Sequence, residues 1–95
     1  MTNAELAQGT AHNILAQIDN SIEVNGNSVS CDMPFSVIKS NVKHALFFVD
    51  NCLSQLEKAE KFDEARALLR GVLNYEANEL PLLQDKIKVF LKSNP

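Results

Sequence analysis

Residues 35–59 read FSVIKSNVKHALFFVDNCLSQLEKA. Apolar positions recur there at Phe35, Ile38, Val42, Ala45, Leu46, Val49, Cys52, Leu53, Leu56 and Ala59. Steps of three and four residues put all of these on one face of an α-helix, because side chains that far apart stack along one side of the cylinder. The spacing predicts a helix over about 35–60, with Asp32 as its N-cap and Pro34 in its first turn, where a missing N–H costs nothing. A stripe this long needs other helices to bury it, so the fold class is all-α.

The same period appears on both sides. Upstream, Ala4, Ala7, Ala11, Ile14, Leu15, Ile18 and Ile22 trace a helix over about 3–22, opened by a Thr2–Glu5 capping box and weakened at Gly9. The segment EVNGNSVSCDMP comes next. Its Asn25-Gly26 pair, loosely flanked by Val24 and Val29, suits a tight hairpin turn, but neither arm offers a convincing alternating strand, so residues 24–33 are expected to form a polar loop rather than a small hairpin. Downstream, a change of direction is expected at Lys61–Asp63 with Phe62 turned inward. Ala65, Leu68, Leu69, Val72, Leu73 and Tyr75 then predict a helix over about 63–77. Pro81 interrupts the C-terminal stretch. Either Asn78 caps a fourth helix over about 79–92, burying Leu80, Leu83, Ile87, Phe90 and Leu91, or one long helix kinks at Pro81. The expectation is a small antiparallel bundle of three to four helices in a single domain spanning residues 1–95.

Composition narrows the classes of function. The chain is 45% hydrophobic and 22% charged with a formal net charge of -3. Residues 1–56 hold Glu5, Asp19, Glu23, Asp32 and Asp50 against Lys39 and Lys43, while residues 57–95 balance seven acids with seven bases. Without a concentration of Lys and Arg, direct binding of nucleic acid or of an anionic membrane is not expected. No apolar run is long enough to span a bilayer, and MTNAELAQGT lacks the charged and apolar regions of a secretory signal, so a cytoplasmic protein is expected. Two cysteines make neither a disulfide framework nor a zinc quartet. Cys52, on the stripe, reads as a small hydrophobe, and Cys31 as a loop thiol with no cation beside it to activate it.

Catalytic patterns are missing. The three glycines are scattered, and there is no HExxH, GxSxG or EF-hand loop, so no enzyme activity, cofactor or metal is expected. His12 reads as a surface residue flanking the first helix. Glu76 falls on the apolar seam if the third helix continues past it, and is exposed if that helix ends near Tyr75.

His44-Ala45-Leu46, followed by CLSQLEKAEKFDEARALL, is somewhat similar to the histidine phosphotransfer domains, four-helix bundles with a solvent-facing histidine in a His-x-Leu-Lys-Gly motif. The likeness implies a bundle with His44 exposed. Phe47 and Phe48 stand where that family has lysine and glycine, and the spacer from His44 to Cys52 is shorter than the family's. Phosphotransfer is therefore only a remote alternative.

The back of the 35–60 helix carries the functional signal. At about 100° per residue, Val37, His44 and Phe48 fall together opposite Val42 and Val49, with Phe47 beside them. Three arrangements account for apolar residues there: the first helix and the loop cover them, two copies of the chain pack them together, or they await another protein. The reading adopted is a non-enzymatic protein-binding module, a regulator of the adaptor, chaperone or inhibitor type. Val37, His44, Phe47 and Phe48 would anchor the partner or a homodimer, and the acidic N-terminal half would steer it. The rival is a small-molecule or nucleotide sensor with a pocket between helices or at a dimer interface, using Asn41, His44 and Asn51.

Overall fold

The computed structural model describes residues 3–25, 28–53 and 60–93. Four α-helices pack against each other: α1 (Asn3–Ser21), α2 (Phe35–Leu53), α3 (Glu60–Asn74) and α4 (Leu80–Ser93). The protein is thus a small all-α bundle. Two short strands, β1 (Ile22–Asn25) and β2 (Ser28–Cys31), form an antiparallel hairpin between α1 and α2.

Helix α1 is the centre of the assembly. It packs against α2, α3 and α4, while α3 also touches α2 and α4; the extensive contacts do not include α2 with α4, which therefore lie on opposite flanks of the α1–α3 pair. The core is continuous across all four helices. Ala7, Ala11, Leu15 and Ile18 of α1 meet Ile38, Val42, Leu46 and Val49 of α2, Ala65, Leu69 and Val72 of α3, and Leu80, Leu83, Ile87 and Phe90 of α4. These are the periodic positions, buried because each helix turns its apolar stripe inward to remove it from water.

The loop expected over 24–33 is corrected by the hairpin. Its register pairs Ile22 with Cys31 and Asn25 with Ser28, leaving Gly26-Asn27 between the strands in place of Asn25-Gly26. Both of those residues lie outside the described ones. Both strands in fact alternate apolar with polar, Val24 pairing with Val29 as Ile22 does with Cys31, and the hairpin is anchored at its open end. Ile22 is buried, Cys31 packs on the core, the Asp32 N–H donates to the Ser21 carbonyl at 2.8 Å, and the buried Gln84 Nε2 of α4 donates to the Ile22 carbonyl at 3.2 Å.

The caps also differ from expectation. The Val37 and Ile38 N–H groups both donate to the Pro34 carbonyl (3.0 and 3.3 Å), so the first helical acceptor of α2 is Pro34 and Asp32 does not cap it. Residues 61–63 belong to α3, and residues 54–59, including Leu56 and Ala59, lie outside the described residues, as do the Phe62 side chain and Thr2 of the expected capping box. The question of one kinked helix or two is answered by a break. After Asn74 comes a 3-10 turn, Ala77–Glu79, entered at Glu76 rather than at Asn78; the Glu79 Oε1 accepts from the Glu76 N–H at 3.0 Å. Glu76 is exposed there, which removes the concern over a buried carboxylate. Pro81 sits in the first turn of α4, where proline is tolerated.

Candidate functional site

Helix α2 buries one face and bares the other. Val42 and Val49 are fully enclosed, and Ile38, Ala45 and Leu46 nearly so. On the opposite side, Phe47 is 72% exposed, Val37 44% and Phe48 36%, and His44 is exposed with them. Complete covering of this face by α1 and the hairpin is therefore excluded for Phe47, while Val37 and Phe48 are partly covered. The reason is geometric. Helices α1 and α3 are the helices in extensive contact with α2, and they leave Phe47 mostly in water while Phe48, at 36%, is partly covered.

The four residues expected to act together do share a surface. His44 is one turn from both Phe47 and Phe48, and Val37 lies two turns before His44 on the same side. Ser40 and Asn51 are exposed along the same face. Sequence reasoning missed Leu6, which is 46% exposed. Helices α1 and α2 run antiparallel, because the hairpin returns the chain from Ser21 to Asp32. The cleft between them sets Ile14 and Ile18 against Ile38, Asn41 and Val42, which brings the level of Leu6 to the Phe48 end of α2. The signal available in the sequence was that Leu6 falls off the Ala7–Ala11–Leu15 stripe.

Asp50 is turned toward α3, where its Oδ1 accepts from Arg66 Nε at 2.7 Å and its Oδ2 from Arg70 Nη2 at 3.2 Å. Along α2 this leaves Lys39, whose Nζ stands 5.0 Å from the centre of the Phe35 ring, and the exposed Lys43, one turn before Phe47. Lys43 is thus the exposed cation of α2 beside Phe47, while Lys39 is turned to Phe35 on the core side.

Comparisons of the chain with protein-family models, with curated proteins and with solved structures gave no match. The reading of the site rests on its geometry.

The cleft beside this face offers little to a small ligand. The cleft between α1 and α2, lined by Gln17, Ser21 and Asn41 among apolar side chains, has about 20 Å³ of room, enough for one water. His44 and Asn51 are on the exposed face, not in this cleft. Among the described residues no group of His, Cys, Asp or Glu is placed to hold a metal ion. The Cys31 thiol has its pKa raised, first by burial and then by the neighbouring Asp32 carboxylate, so it is held in its less reactive form. Cys52 packs on the core. His12, expected at the surface, is half-buried with its ring 6.2 Å from that of Phe90. No described helix is long and apolar enough to cross a membrane.

Proposed function

We propose that the protein is a small, cytoplasmic, non-enzymatic binding module that engages a partner polypeptide through the outer face of α2, as adaptors, chaperones and inhibitors do. The observation that carries this reading is the exposure of Phe47, 72%, beside Phe48, Val37 and His44 on a helix whose other face is fully used by the core. A phenylalanine ring held in water gains nothing for the monomer and leaves it prone to aggregate; buried by a partner, it removes about 150–250 Å² of surface from water and becomes an anchor of binding energy. The helix fixes the ring's direction in advance, so little ordering is lost on docking. Lys43, one turn before Phe47, favours a partner segment that is apolar with an acidic flank. Direct binding of nucleic acid is not part of the proposal, since the face offers too few cations to displace a counterion atmosphere. Nor is phosphotransfer: Phe48, one turn past His44, occupies the position where a docking receiver domain needs a small residue.

The test is selection of displayed peptides against the wild-type protein and against Phe47→Glu. Convergent enrichment of acidic-flanked apolar peptides by the wild type, lost in the variant, is the expected result. Peptides that bind both proteins equally, or no convergence at all, would remove the α2 face from consideration.

A further inference from the structure

A second apolar surface lies on the far flank of the bundle. Helices α3 and α4 diverge over a groove with two adjoining hollows of about 340 and 260 Å³, walled by Leu68 of α3 and Val89 of α4. Val89 is 65% exposed and Leu82, on the same outer side of α4, is 60% exposed. Tyr75 closes one end, its hydroxyl accepting from Lys86 Nζ at 2.7 Å.

The charged residues lining this groove are Glu64, Asp85 and Lys86, and the Lys86 ammonium is turned to the Tyr75 hydroxyl, which leaves the two carboxylates to face an incoming cation. Glu64 stands one turn before Leu68 and Asp85 one turn before Val89, and neither has an ion pair among the described residues. On α2, Lys43 stands one turn before Phe47 and also lacks an ion pair among the described residues. An aromatic residue preceded by a cation thus faces outward on one flank, and aliphatic walls preceded by anions line a groove on the other. Docking the first into the second pairs opposite charges one turn from the apolar contact. Packing α2 on α2 offers Lys43 no such partner, since the acid of that helix, Asp50, is already held by Arg66 and Arg70.

We infer that the α3–α4 groove receives the α2 face of a second copy of the chain, so that the protein self-associates head to tail. This rests on the α2 face being a binding surface and deepens that reading by naming the partner. Because α2 and α4 lie on opposite flanks, the contact joins two different surfaces and leaves one of each free at the ends, so that assembly grows with concentration.

Complementation separates this arrangement from every other. Light scattering on wild type should give a mass that rises above the 10.5 kDa of one chain as concentration increases. Phe47→Glu and Val89→Glu should each weaken self-association at least about ten-fold. An equimolar mixture of the two should form a dimer that grows no further, since each variant keeps the surface the other lacks. Lys43→Glu mixed with Glu64→Lys provides a second test at exposed positions whose substitution leaves the core untouched. A wild type that stays monomeric, mixed variants that stay monomeric, or a Val89→Glu protein that associates as wild type does would each overturn the head-to-tail contact. All three leave the α2 face standing as a site for a different chain. Loss of helical circular dichroism in Phe47→Glu would overturn both readings, because Phe47 would then be part of the fold.

Discussion

Phe47 and Leu69 show what burial does at a single residue. Leu69 is fully enclosed by the core, and truncating it to alanine removes buried methyl groups and leaves a cavity, at a cost of about 2–5 kcal/mol. Phe47 is 72% exposed and leaves almost nothing behind when truncated. Phe47→Ala is therefore expected to shift the stability measured in urea by less than about 0.5 kcal/mol, as for an ordinary surface substitution. A loss comparable to that of Leu69→Ala would show that the ring is held by the folded chain. The same contrast explains how much the sequence reveals. Which face of α2 is buried follows from the spacing of Val42, Ala45, Leu46 and Val49, because periodicity is a local property. Whether Phe47 and Phe48 are covered depends on where α1 and α3 land, which no local pattern encodes. The placement of Val37, His44, Phe47 and Phe48 on one surface was legible; its exposure was not.

The elements differ in how their ends are held, and it is at the ends that expectation and structure part. The four helices announce themselves through their stripes. The hairpin does not, because its strands are four residues each, too short for the alternation of Ile22 and Val24, or of Val29 and Cys31, with polar neighbours to stand out. Gln84 is central to the hairpin's attachment. It is buried, sits among Leu80, Leu83 and Ile87 on the inner face of α4, and its Nε2 donates to the Ile22 carbonyl at the junction of α1 and β1. A glutamine carries no apolar signal, so a reading based on hydrophobic spacing passes over it, yet it joins residues 62 positions apart. Gln84→Ala is expected to cost about 1–3 kcal/mol, since it leaves a buried carbonyl without its donor. It should also speed amide exchange in Ile22–Asn25 and Ser28–Cys31 more than in α2 and α3, as read by hydrogen-exchange mass spectrometry. Uniform acceleration across the chain would mean that the bond contributes to global stability without anchoring the hairpin. The break before α4 has a similar origin. Pro81 marks it, but the entry at Glu76 is chosen by the reach of Glu79 back to the Glu76 N–H, a contact that only the folded turn creates.

At the scale of the whole molecule, α1 decides how the protein unfolds. Among the described residues it shares with α3 the distinction of extensive contact with all three other helices, and the core cluster runs along it from Ala7 to Ile18 and on into Ile22 of β1. Neither α2 with α3 nor α3 with α4 closes a core alone, because the inner residues of each pair, Val49 and Leu69 or Val72 and Ile87, belong to the one cluster that α1 completes. Unfolding is therefore expected to be a single cooperative transition. The chain offers a direct check, since it has no tryptophan and one tyrosine. Tyr75 stands between α3 and α4, half-buried and bonded to Lys86, so its fluorescence reports that junction alone, while circular dichroism at helical wavelengths reports all four helices. In urea the two signals should share one midpoint and one slope. If the tyrosine signal moves first, the α3–α4 junction opens while α1 and α2 remain paired. The groove at that junction would then be a surface of a locally mobile element, not a wall fixed by the core, and contacts made there would include the cost of ordering it.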